Sequence, residues 1–158
     1  MSTKRIVLVG CCAEKLDRVA PARQLYRSQL FRKASTWAQA QGAPWFVLSA
    51  AYGLIKPDGQ LAPYDKTHAN MTPAERSAWA VRVHDQISAW CNFWDAEQLE
   101  TVMLARARYA GWPPLVEAWG CKVVQPMKGM QVGQRLQWLT AQLSGQGLAQ
   151  PEQEELFA

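Results

Sequence analysis

Long apolar runs are missing from this 158-residue chain. None approaches the roughly 18–20 consecutive apolar residues that cross a bilayer. The start, Met-Ser-Thr-Lys-Arg, leads into a short apolar stretch that ends at Cys11, too brief for the core of a signal peptide. A cytoplasmic protein with no membrane partner is expected. Histidine is scarce. His68 and His84 have no paired spacing with Cys11, Cys12, Cys91 or Cys121, and no Cys-x-x-Cys occurs, so no metal site is expected. The vicinal Cys11-Cys12 pair is a poor disulfide, because bridging it strains the peptide between, and reduced thiols are the default. The three-glycine dinucleotide fingerprint and the Walker loop are also missing, and no cofactor is expected.

What is present is a globular composition, with 49% hydrophobic and 19% charged residues. At this length it builds one domain. Charge is uneven: Lys and Arg number 17 against 13 Asp and Glu, and no base occurs from residue 144 on, where Glu152, Glu154 and Glu155 stand. A basic body over residues 1–143 with a flexible acidic tail over 144–158 points to a polyanionic partner, DNA first. Ordinary solubility charge is the plainer alternative.

Hydrophobic patterning alternates strand and helix. Arg5 to Gly10, Trp45 to Ala50, Thr101 to Ala105 and Lys122 to Pro126 read as strands. Helices are expected from about Ala22 to Gln41, from Thr72 (an N-cap with Pro73 and Glu75 behind it) to about Phe93, around Tyr109 to Trp119, and from Val132 to Leu143. Ala78, Trp79, Val81, Val83, Ile87 and Trp90 are the candidate core residues of the second helix. Residues 51–71 show no periodicity and read as a long loop, which compact domains keep only for a purpose. The expected fold is an α/β single domain with a mostly parallel central sheet of about four strands flanked by helices. Ligands of such folds sit beyond the carboxyl ends of the strands.

Those ends carry the candidate chemistry. Gly10 lets backbone amides approach a ligand beside Cys11, and Lys15 is placed to hold a phosphate. In the loop after Ser49, Tyr52 and Tyr64 suit stacking on a base or sugar, and Gly53 and Pro63 shape the chain around them. Asp65 is a candidate general base or stabiliser of a cationic sugar. Asn70 and His68 follow it. Tyr109, beside Arg106 and Arg108, makes a basic-aromatic group at the third strand end, and Trp112 is a candidate for stacking on nucleic acid. Lys128, Gln134 and Arg135 flank a glycine-rich helix start suited to a phosphate or a base edge. Each has a plainer reading as a turn, cap or core residue.

Ser49-Ala50-Ala51-Tyr52-Gly53-Leu54, with Pro57-Asp58 and Pro63-Tyr64-Asp65, resembles the signature of YaaA-like proteins. The strand ending in Gly10-Cys11 with Lys15 downstream, Pro21 to Phe31, and Gly129 to Leu139 resemble more closely still a small bacterial family known only as a domain of unknown function. The resemblance spans about residues 5–140. It implies DNA binding and DNA protection, and a distant likeness to uracil-DNA-glycosylase-type folds, some of which act on modified phage bases in anti-phage defence. It carries over to Gly10, Cys11, Lys15, Ser49, Tyr52, Gly53, Pro63, Tyr64, Asp65 and Gln134. Uracil glycosylases place their aspartate before Pro-Tyr, whereas Asp65 follows Pro63-Tyr64. Gln153 to Phe157 resembles peptides that dock bacterial sliding clamps, with Leu156 and Phe157 as apolar anchors.

These readings converge on a DNA glycosylase of repair or defence that flips a modified or damaged base and cuts its bond to the sugar. Asp65, Tyr64 and Lys15 would be its catalytic residues. A non-catalytic DNA-binding protein of oxidative-stress protection and an enzyme of free nucleotides or nucleosides are the alternatives.

Overall fold

A computed structural model describes residues 4–90, 98–105, 117 and 121–145. Among these, five strands form one sheet in the order β4-β3-β1-β6-β7. The strands are β1 (Lys4–Gly10), β3 (Trp45–Ser49), β4 (Gly53–Ile55), β6 (Leu99–Leu104) and β7 (Lys122–Val124). Strand β1 pairs in parallel with β3 and β6, and β6 with β7; only β4 runs antiparallel, against β3. The α/β architecture with a mostly parallel sheet is as expected, with β4 as the additional edge strand.

Strand β1 is central, and its β-branched run is buried on both faces, as parallel strands covered on two sides must be. Ile6 and Leu8 point to one face and pack with Phe46, Leu48, Trp79, Val83 and Ile87. Val7 and Val9 point to the other, among Phe31, Ala34, Trp37, Val47 and Leu139. Helix α3 (Pro73–Trp90) therefore covers one side, and α2 (Gln29–Ala40) with α4 (Val132–Gly145) the other. Trp37 of α2 meets Trp138 of α4 with ring centres 5.9 Å apart.

The expected helix over 22–41 is broken in two, α1 (Ala22–Leu25) and α2. Tyr26 leaves helical geometry, with φ −88° and ψ 133°, and forms an antiparallel bridge with Lys15. Ser28 restarts the helix as its N-cap, its Oγ accepting from the Phe31 N–H at 3.0 Å. The stretch 51–71 is more structured than a loop. It contains β4, a two-residue strand β5 (Gln60–Leu61) paired with β2 (Ala20–Pro21), and a 3₁₀ turn at His68–Asn70.

Helix α3 starts as its sequence predicts. Thr72 Oγ1 accepts from the Glu75 N–H at 3.1 Å, and Glu75 Oε1 accepts from the Thr72 N–H at 2.8 Å. That N–H, with Lys66 beside it, holds the Glu75 carboxyl below the usual carboxylate range. Of the candidate core residues, Trp79, Val83 and Ile87 are buried, together with Ala80. Ala78 is exposed and Val81 is 50% exposed, because α3 turns them away from the sheet. No described helix is long and apolar enough to cross a membrane. Apart from Glu117, the helix expected around Tyr109 to Trp119 lies outside the described residues, as does the tail from residue 146.

Candidate functional site

The chain runs from β1 out to β3 on one side of the sheet and later reaches β6 on the other side of β1. The strand order thus reverses between β1 and β6, and a crevice opens beyond the carboxyl ends of two such strands. A cleft of about 420 Å³ lies there. Val9 and Gly10 line it from the end of β1, Cys11 to Glu14 from the segment that follows, and Leu104 and Ala105 from the end of β6 and just beyond. Ser28 to Phe31 at the start of α2, Thr67, Ala69 and Met127 line it too, as do Val132 and Arg135 at the start of α4. Its apolar residues Phe31, Ala34, Leu104 and Met127 are nearly fully buried, which gives the cleft a greasy interior.

Beside the cleft, burial assembles a line of hydroxyls. Ser49 Oγ and the Tyr64 hydroxyl are 2.8 Å apart, and the Tyr64 and Tyr26 hydroxyls 2.6 Å. Ser49 is fully buried at the end of β3; its Oγ also accepts from the Tyr52 N–H, and its carbonyl accepts from Trp79 Nε1. Burial pushes the Tyr64 and Tyr26 phenols well above their ordinary value, with the nearby Cys11 adding to the shift. Both stay neutral, able to donate a proton into a hydrogen bond. The Lys15 ammonium lies 4.3 Å from the centre of the Tyr64 ring and 5.8 Å from that of Tyr26, a cation held over aromatic faces. It donates to the Ala13 carbonyl at 3.2 Å, and among the described residues no carboxylate pairs with it. Tyr52, 44% exposed, sets its edge against Tyr64.

Lys15, Ser49, Tyr52 and Tyr64, far apart in sequence, therefore form one group with Tyr26. Gly10 and Cys11 line the adjoining cleft. Other candidates serve the fold. Arg135 is buried, its Nε donating to the Met130 carbonyl and Nη1 to that of Ala105, both at 2.9 Å. Those bonds tie α4 to the end of β6 and commit the guanidinium. Gln134 Oε1 accepts from the Gln131 N–H at 2.9 Å and caps α4. Asn70 Oδ1 accepts from the Thr67 N–H and closes a turn. Gly53 takes φ +76°, the left-handed geometry its turn into β4 requires. Lys128 is exposed on the turn before α4, and Asp65 is exposed and absent from the cleft wall. Tyr109, Arg106, Arg108 and Trp112 lie outside the described residues. No group of three or more His, Cys, Asp or Glu residues suited to a metal occurs among the described residues.

Tyr26 and Glu14 escape a sequence reading. Tyr26 sits in an expected helix, and Glu14 looks like a solvated charge beside the more conspicuous Lys15. The bridge between Lys15 and Tyr26 brings both to the site.

Fold and cleft define an α/β domain with a cleft at the reversal of its strand order. The chain belongs to a family of unknown function, DUF6884, whose model matches residues 6–141. No curated protein and no solved structure matches it.

Proposed function

We propose that this protein is a cytoplasmic N-glycosidase that acts on DNA, accepting a flipped modified or damaged base and releasing it from its sugar. The observation that carries the reading is the cleft at the β1–β6 reversal, about 420 Å³ with an apolar interior and a polar rim. Ligand pockets run from about 300 to 1,000 Å³, with few polar groups fixing orientation. A planar base fits such a space. Flipping costs a few kcal/mol, and burial of the base against the apolar wall at Phe31 and Leu104 contributes in return. Lys15, without a carboxylate partner among the described residues, and exposed Lys128 are available to phosphates, in keeping with a net charge of +4.

The test is incubation with duplexes carrying uracil, hydroxymethylated, glucosylated or oxidised bases, followed by alkali. Strand scission at the modified position of at least one duplex is expected. Absence of scission from all of them at stoichiometric protein would sink the reading. Salt-sensitive duplex binding without scission would instead favour a non-catalytic DNA-binding protein. The cleft also has two helix starts on its wall, at Ser28 to Phe31 and at Val132 with Arg135, where a free nucleotide's phosphate is favoured. Mononucleotide binding without affinity for duplex would favour that second reading.

A further inference from the structure

Hydrolysis of a base–sugar bond develops positive charge on the sugar, and a carboxylate beside that carbon stabilises it or takes a proton from the attacking water. Asp65 is the carboxylate that sequence suggests for this work, yet it is not on the cleft wall. Among the described residues one acidic residue lines the cleft, Glu14. We infer that Glu14 is the catalytic carboxylate of this cleft, an inference that rests on the nucleic-acid reading above.

Its position is well held. The Glu14 carbonyl accepts from the Arg27 N–H at 2.9 Å and from Cys12 Sγ at 3.2 Å. The next residue, Lys15, is bridged to Tyr26, and the Leu16 N–H donates to the Leu25 carbonyl at 2.8 Å. These bonds pin the backbone of Glu14 between the end of β1 and the start of α2, and Glu14 is an exposed residue of the cleft lining. A base seated on Phe31 and Leu104 within would leave its sugar at the cleft's rim. Lys15 directs its ammonium to the Tyr64 ring and the Ala13 carbonyl. In the reaction the C1′–N bond breaks with its electron pair leaving on the base, which takes up a proton. Water adds to C1′ and gives its proton to the Glu14 carboxylate, which returns it through solvent to the released base, so that the carboxylate is regenerated. The products are free base and an abasic sugar, and water is the co-reactant.

The experiment compares the full-length protein with Glu14→Gln and Asp65→Asn. Each is titrated with duplex DNA carrying a cationic pyrrolidine in place of one sugar, and with the same duplex carrying a neutral tetrahydrofuran. Each is also assayed for base release from the modified duplexes named above. The wild type is expected to prefer the cationic duplex by about tenfold or more, and Glu14→Gln to lose that preference. Base release should fall on the order of 10²-fold or more in the same variant. The substitution touches an exposed carboxylate and none of the backbone bonds, so an unchanged melting temperature is expected alongside. A preference that survives Glu14→Gln, or that disappears with Asp65→Asn instead, overturns the assignment whatever the base release. Base release that is absent everywhere, with no preference for the cationic duplex, overturns the glycosidase reading and the role of Glu14 with it.

Discussion

The Tyr64 hydroxyl lies within hydrogen-bond reach of both Ser49 and Tyr26, so its removal leaves two largely buried hydroxyls without their shared partner. Tyr64→Phe is expected to cost about 1–3 kcal/mol, the penalty for an unsatisfied buried polar group, read by urea denaturation near neutral pH. The same residue sets an alkaline limit. Burial raises both phenols above their ordinary 10.0, so the unfolded chain releases these protons first as pH rises. Their contribution is complete below pH 10 and declines above it. Wild-type stability should therefore fall on going to about pH 11, and fall less in Tyr64→Phe; equal losses would contradict the coupling. Tyr52, Tyr64 and Ser49, which the structure brings into contact, stood out in the sequence because they lie in or beside a polar, aromatic segment without periodicity. Tyr26 was hidden by a plausible helical pattern. Arg135 was legible as a cation, but carbonyls of its own fold claim that charge.

Elements show why local pattern succeeds at helix starts and fails at helix breaks. Thr72 and Glu75 satisfy each other's amides within four residues, so a sequence predicts the start of α3 without knowing its neighbours. The break between α1 and α2 depends on a residue 11 positions earlier, Lys15, which pairs with Tyr26, and no local signal reports it. Strand β4 was missed for a similar reason: three residues carry no period, and they are extended only because β3 offers an edge. Gly53 makes that return. Its φ of +76° strains any other residue, and a methyl group there would displace the Gln86 side chain, whose Oε1 accepts from the Leu54 N–H at 2.8 Å. Gly53→Ala is expected to lower stability by about 1–3 kcal/mol, measured by thermal unfolding. If its stability were unchanged, the turn geometry would not be essential.

At the scale of the whole molecule, β1 joins the two halves of the core. Ile6 and Leu8 serve the α3 side and Val7 and Val9 the α2–α4 side, all at most 1% exposed. Leu8→Ala is expected to cost about 2–5 kcal/mol and to lower the melting temperature by roughly 2–4 °C per kcal/mol, as one transition seen by both fluorescence and circular dichroism. Two separate transitions would mean that the faces unfold independently. The alternation of buried strands and capped helices, and with it the α/β class and the parallel sheet, was determined by the amino-acid sequence alone, because period and capping are properties of neighbouring residues. Tertiary structure alone decided where the strand order reverses. That placed the ends of β1 and β6 around one cleft, set Glu14 on its wall, left Asp65 off it and brought Tyr26 to Tyr64. Such juxtapositions arise from packing between residues distant in the chain, which no local pattern encodes.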